Sequence, residues 1–182
     1  MNQTSPSIPL QTSGIQQIQS AALVLIGMIL VIGSALGFEH IGGYAPCALC
    51  LEQRLSYYWG IPIAAIALVS ALKSWPPLLT RGLLIAVVLL LLYTAGLGVY
   101  HSGVEWGWFE APQSCGAGLS ATSSDAGSLL DSLATAKPPS CDDAAGRFLG
   151  LSFAGWNVIA AGFLALVALR GSLGRGSLGK AD

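Results

Sequence analysis

The stretch GLLIAVVLLLLYTAGLGVY, residues 82–100, runs for nineteen residues without an Asp, Glu, Lys or Arg. Coiled as a helix it is about 28 Å long at about 1.5 Å per residue, close to the roughly 30 Å of hydrocarbon in a bilayer. Runs of the same kind occupy residues 21–38, 55–72 and 148–169. Of the 182 residues, 53% are hydrophobic and only 9% are charged, against about 25% charged in soluble domains. Eight basic and nine acidic side chains cannot cover a water-soluble domain of this size, and a net charge of −1 offers nucleic acid no purchase. The long apolar runs exclude a disordered chain. The sequence therefore predicts an all-α membrane protein, a single four-transmembrane-helix bundle over 1–182. Its spans are expected at about 18–38, 51–72, 82–101 and 148–169, with flexible tails at 1–17 and 171–182.

The first span is read as a retained helix rather than a cleaved signal peptide. Residues 1–20 contain no Lys or Arg and the apolar run is longer than a usual signal core, although Ala35-Leu36-Gly37 is a passable small-x-small pattern. Pro62 in the second span is tolerable where neighbouring helices satisfy the freed backbone groups. Asn157, placed near mid-depth of the fourth span, is expected to face the bundle and to pack between helices by hydrogen bonding. Residues 1–20, rich in Gln, Ser and Thr, and the Gly-Ser-Leu-Gly repeats after Gly171 are read as unstructured. Within the long loop 101–147, Ala126–Ala136 aligns Leu129, Leu130 and Leu133, which suits a short amphipathic helix lying either in the membrane interface or against the loop itself.

Four spans place both termini on one side and the loops 39–50 and 101–147 together on the other. Lys73, Arg81, Arg170, Arg175 and Lys180, five of the eight basic residues, lie on the side of the termini. The positive-inside rule makes that side cytoplasmic and puts both odd loops outside.

All four cysteines fall in those outer loops, where disulfides persist. Cys47 and Cys50 lie in Pro46-Cys47-Ala48-Leu49-Cys50 at the mouth of the second span, and Cys115 and Cys141 are 26 residues apart in the long loop. A bridge between Cys47 and Cys50 would close too small a ring to stabilise a fold. At a helix N-terminus behind a proline, such a pair is a redox device, because the positive end of the helix dipole favours a thiolate. No His follows Cys50, which excludes c-type haem attachment. Zinc is disfavoured because the second pair lacks a close Cys-x-x-Cys spacing.

Arg54 follows Cys50 by one helical turn and Cys47 by two, so all three share a face. It either snorkels to the interface beside Glu52, or holds a guanidinium over the thiols to stabilise a thiolate or a carbonyl oxygen. His101 ends the third span on the same side, as an interfacial residue or as a proton donor. A reduced thiol pair at the membrane surface must pass on two electrons. The sequence holds no flavin or nicotinamide motif, so location alone points to a lipid-soluble quinone.

The run Pro46-Cys47-Ala48-Leu49-Cys50-Leu51-Glu52-Gln53-Arg54 resembles the DsbB family of bacterial membrane disulfide-bond formation proteins. So do Tyr100-His101-Ser102-Gly103-Val104-Glu105-Trp106-Gly107, Pro112-Gln113-Ser114-Cys115, Pro139-Ser140-Cys141-Asp142 and Phe148-Leu149-Gly150-Leu151 with Trp156-Asn157, in family order. The resemblance implies an inner-membrane bundle with periplasmic cysteine loops that reoxidises a DsbA-like thioredoxin-fold partner. The electrons would pass to a membrane quinone, ubiquinone or menaquinone, and on to the respiratory chain. It implies that Cys115 forms the mixed disulfide with the partner, that Cys141 is its mate, that Cys47 exchanges with Cys141, and that Cys50 is nearest the quinone. Arg54 and His101 would then lie at the quinone site, and no metal is required. Gly116-Ala117-Gly118 beside Cys115 is expected to keep that cysteine accessible.

Two other readings exist. In vitamin-K-epoxide-reductase-like enzymes the Cys-x-x-Cys follows the loop pair, whereas here it precedes it. In a non-enzymatic membrane protein both bridges would only brace loops. The charge asymmetry predicts that a reporter fused after Lys180 reads cytoplasmic and one inserted at Ser123 reads periplasmic; the opposite pair of results would overturn the shared outer compartment of the cysteines.

Overall fold

Pro76-Pro77 and Cys47 mark where two of the apolar runs begin to coil. In the computed structural model, which describes residues 10–115 and 140–174, the helices are α1 (Leu10–His40), α2 (Ala48–Leu72), α3 (Pro77–Glu105) and α4 (Phe153–Leu173). Pro77 occupies the first turn of α3, where its missing N–H costs nothing. Pro62 stays inside α2 without ending it. All four helices are long and apolar enough to cross a membrane.

The helices form a closed ring in which α3 packs on α2 and α4, and α1 packs on the same two. The burial pattern is that of a bundle in lipid. Val24, Met28, Val87, Leu91 and Ala161 fill the interior, while Leu30, Leu89, Phe163 and Leu166 turn outward and are more than 60% exposed. Large apolar side chains facing outward on every side identify the surroundings as hydrocarbon rather than water. Near the short connector between α2 and α3, Ser70 and Thr80 share a hydrogen bond of 2.8 Å, which satisfies two hydroxyls where water is scarce.

Several boundaries differ from the sequence reading. Helix α1 begins at Leu10, so part of the tail expected over 1–20 is helical. Arg81 lies within α3, which starts at Pro77 rather than after Arg81, and it donates to the carbonyl of Gly174. Helix α4 continues through Leu173, past the expected tail boundary at Gly171. At its other end, α4 does not open at Phe148. Arg147–Phe148 and Leu151–Ser152 pair instead as a two-stranded antiparallel hairpin. Its turn places Leu149 and Gly150 at φ of 51° and 83°, the two positive values of a type I′ turn, and Ser152 then caps α4 by accepting from the Gly155 N–H. Apolarity alone assigns this hairpin to the span. The segment 126–136, read as an amphipathic helix, lies outside the described residues.

Helices α3 and α4 come close together at Gly98. A Cβ there would lie 2.7 Å from Val158 Cγ2 and 3.3 Å from the Ala154 carbonyl oxygen, so the two helices meet through the missing side chain. Gly98→Leu should destabilise the bundle by about 1–3 kcal/mol, read as a lower Tm in detergent. An unchanged Tm would mean that α3 and α4 have room for a side chain between them.

Candidate active site

Cys47 is the N-cap of α2, with extended backbone and its sulfur accepting from the Cys50 N–H at 3.4 Å. One turn on, the Cys50 sulfur lies 3.2 Å from that of Cys47. Both are free thiols, while Cys115 and Cys141 are joined in a disulfide. The two pairs meet: Cys47, Leu49, Val104, Cys115 and Cys141 form one buried cluster at the end of the bundle that holds both cysteine loops. The loop after α3 folds back to make this possible. Phe109 stacks on Tyr100 and covers Gly103, where any side chain would strike its ring, and the Tyr100 hydroxyl donates to the Glu110 carbonyl at 2.9 Å. The next turn, Gln113–Cys115, seats against α2. Cys115 is consequently only 7% exposed, contrary to the accessibility expected from its glycine-rich neighbours.

His101, buried on α3, directs Nε2 at the Cys47 sulfur at 3.6 Å and Nδ1 at the Gln53 amide nitrogen at 3.0 Å. Glu105, one turn further, brings Oε1 to 3.8 Å from the same Nε2, and both side chains are almost wholly buried. The Cys50 thiol beside Cys47 holds the Cys47 pKa down to about 4, against the opposing effect of burial, and His101 adds to the lowering. Above that pH, Cys47 is a thiolate. A stabilised thiolate also stabilises the reduced pair, which makes its disulfide a stronger oxidant.

On the opposite side, Cys50 lines a cavity of about 320 Å³ between α1, α2 and α4, near the lower end of the ligand-pocket range of about 300–1,000 Å³. Its walls are mainly apolar and include Phe38, Tyr44, Tyr57, Phe153 and Trp156, joined by Gln53, Arg54 and Asn157. Phe38, Tyr44 and Phe153 form a ring cluster with centroids 4.7–6.2 Å apart, a surface suited to a flat unsaturated ligand. Arg54 reaches the wall of this cavity paired with Glu39 at the end of α1. The counter-charge expected for it, Glu52, instead accepts from the Tyr93 hydroxyl at 2.9 Å.

The sequence-selected residues therefore divide. Cys50 and Arg54 face the cavity, Cys47 faces the Cys115–Cys141 bridge, and His101 sits with the thiols rather than in the cavity wall. Asn157, read as mid-depth packing, lies in the second turn of α4 because the hairpin delays the start of that helix. It donates to Gln53 Oε1 at 2.6 Å and accepts from the Tyr57 hydroxyl at 2.6 Å. Sequence reading does not single out Gln53, Tyr57, Glu39 or Glu105. The available signal is polarity in a charge-poor chain: Gln53 lies between the cysteines and Arg54, and Glu105 follows His101 at i+4. The sulfurs of Cys47 and Cys50 and a ring nitrogen of His101 lie within 4.8 Å of one another, a soft donor set of the kind that binds zinc.

Residues 17–170 match the family model described as disulfide bond formation protein DsbB. The chain is 31% identical to disulfide bond formation protein B of Saccharophagus degradans, over 83% of this chain and 89% of that one. It is also 31% identical to disulfide bond formation protein B of Aromatoleum aromaticum, over 82% of this chain and 91% of that one. An uncharacterized protein of Rickettsia prowazekii is 28% identical over 75% of this chain. No solved structure gives a significant match.

The sulfur geometry predicts a pH response. In a Cys115→Ser, Cys141→Ser background, thiolate ultraviolet absorbance should titrate with a midpoint near 4, with the thiolate lost as pH falls through that value. Cys50→Ala should raise the midpoint most and His101→Leu by less. A midpoint near the ordinary thiol value of about 8.5 would mean that neither neighbour stabilises the Cys47 thiolate.

Proposed function

The chain belongs to the DsbB family of membrane disulfide bond formation proteins, and we propose that it is a thiol:quinone oxidoreductase of the bacterial inner membrane. In this reading both cysteine loops are periplasmic and both termini cytoplasmic. The protein reoxidises the dithiol of a DsbA-like thioredoxin-fold partner and passes the electrons to ubiquinone or menaquinone. One observation carries the reading: Cys50 lies 3.2 Å from Cys47, which packs with the Cys115–Cys141 bridge, and itself forms part of the wall of an apolar cavity that also holds Arg54. The pair thus separates a protein substrate in water from an apolar substrate in lipid.

The steps balance as thiol–disulfide exchanges. A partner thiolate attacks Cys115, breaking its bond to Cys141 and forming a mixed disulfide. The freed Cys141 thiolate attacks Cys47 of an oxidised Cys47–Cys50 pair and releases Cys50. The partner's second thiol displaces Cys115 and leaves oxidised. Cys115 then attacks Cys141, restores their bond and releases Cys47. The result is a reduced Cys47–Cys50 pair beside a Cys115–Cys141 disulfide, the arrangement that the four cysteines adopt in the structure. Two electrons then pass to the quinone, a substrate, as the Cys47–Cys50 bond re-forms, with one proton supplied by the Cys50 thiol and the second by solvent, since Cys47 is already a thiolate. Arg54, which lines the cavity, would donate to a carbonyl oxygen that gains negative charge during this step.

The test monitors the thiols of the reduced partner and quinone absorbance together in the purified protein, with one quinol expected for each partner disulfide. Cys141→Ser should accumulate a Cys115–partner adduct. Arg54→Met should lower quinone-dependent turnover by about one to two decades, the equivalent of a charge-assisted hydrogen bond of about 1.5–3 kcal/mol, and leave quinone-free exchange with the partner unchanged. Partner oxidation without quinone reduction would overturn the assignment of the acceptor, and an adduct through Cys47 would reverse the order of the relay.

A further inference from the structure

An imidazole beside two sulfurs can play opposite parts. With a proton on Nε2 it donates to a thiolate; with Nε2 bare it is a ligand for a soft metal ion. Which part His101 plays depends on the groups that hold its other nitrogen.

Those groups form a chain through the centre of the bundle, and its direction can be read from one hydroxyl. Thr94, fully buried on α3, donates its only hydroxyl hydrogen to the Gln53 backbone carbonyl at 3.1 Å. Towards Asn157, 3.3 Å away, Thr94 Oγ1 can therefore only accept, so the Asn157 atom facing it is the amide nitrogen. That same nitrogen lies 2.6 Å from the side chain of Gln53 and must meet its oxygen. The Gln53 amide nitrogen is then the atom 3.0 Å from His101 Nδ1, and because it donates, Nδ1 carries no proton. The imidazole proton is left on Nε2, the nitrogen 3.6 Å from the Cys47 sulfur. At the far end, Tyr57 donates to Asn157 Oδ1 at 2.6 Å, which agrees with the same amide orientation. The reverse direction would leave Thr94 and Asn157 facing each other with two acceptors.

We infer that Thr94, Asn157, Gln53 and Tyr57 are positioning residues that hold the His101 proton on Nε2, aimed at the Cys47 sulfur. The chain thereby keeps Nε2 occupied and withholds it as the third ligand of the Cys47, Cys50 and His101 donor set. Reduced Cys47 and Cys50 stay available to an electron acceptor instead of being captured by zinc. Three of the four positioning residues, Gln53, Tyr57 and Asn157, also line the cavity, so the side chains that set the thiolate donor also face the cavity. This inference deepens the thiol:quinone reading, but its test needs neither partner nor quinone.

The measurement is nitrogen NMR of ¹⁵N-histidine-labelled reduced protein in detergent, with His40→Gln leaving a single histidine to observe. The expected spectrum shows a protonated Nε2 and a bare Nδ1; a proton on Nδ1 overturns the inference without bearing on turnover. Thr94→Val removes the hydroxyl that sets the direction and should produce a population protonated on Nδ1, whereas Thr94→Ser should restore the wild-type spectrum. An unchanged tautomer in Thr94→Val would remove Thr94 from this role. Gln53→Glu offers Nδ1–H an acceptor and frees Nε2, so zinc should bind the reduced variant about 10–100-fold more tightly than the wild type, the usual effect of a carboxylate behind a ligating imidazole. Equal zinc affinity in the two proteins would show that the amide chain does not govern the ligand.

Discussion

A polar group inside a membrane bundle has no water to fall back on, and Gln53 is held accordingly at every polar atom it owns. Its amide oxygen is bound by Asn157 on α4 and its amide nitrogen by His101 on α3, while Thr94 binds its backbone carbonyl. Leaving either end of the amide unpaired would cost on the order of 1–3 kcal/mol, more than most surface contacts supply. One side chain on α2 therefore ties two other helices to the turn that carries the cysteines. The apolar remainder of the interior, mostly small and aliphatic residues with Met28 and Tyr57, packs around this polar tie, and close approaches such as that at Gly98 set the helix spacing.

The rotation of α2 gives a single helical turn two different neighbours. Cys47, at the cap, is turned towards the loop disulfide and His101, and Cys50 towards the cavity. A spacing of three residues is short enough for the sulfurs to touch at 3.2 Å, yet it rotates them to separate surroundings, one loop-covered and one open to apolar ligands. Exchange with a bulky protein and exchange with a small flat molecule make incompatible demands on one surface. In the proposed relay, dividing them between two adjacent sulfurs meets both.

The spans are legible in the sequence because hydrocarbon selects for length and apolarity, which composition reports directly. What composition cannot report is backbone direction. The run from Phe148 to Ser152 is as apolar as a helix start, yet Leu149 and Gly150 turn it into a hairpin, and the displaced start of α4 carries Asn157 from an expected mid-depth to the site. The cysteine motif and Arg54 stand out by residue type. Gln53, Thr94 and Tyr57 do not, because each is ordinary alone and acquires meaning only from the helix opposite. The burial of Cys115 is hidden for a related reason: neighbouring glycines report local freedom, whereas its exposure is set by a turn docked on α2.

Arg54 presents the same problem with charge in place of dipoles. A guanidinium at this depth is costly unless a counter-charge accompanies it, and the sequence neighbour Glu52 points away to Tyr93. Glu39, the last acidic residue of α1, meets it instead, with Arg54 only 13% exposed and Glu39 27%. The pair is neutral as a unit, so it can border an apolar cavity without drawing in a counter-ion, and the guanidinium still presents a planar fork of donors. Because Glu39 comes from α1 and Arg54 from α2, the charge at the cavity wall depends on those two helices staying together. Helix α1, which contributes no cysteine, thereby becomes part of the redox site.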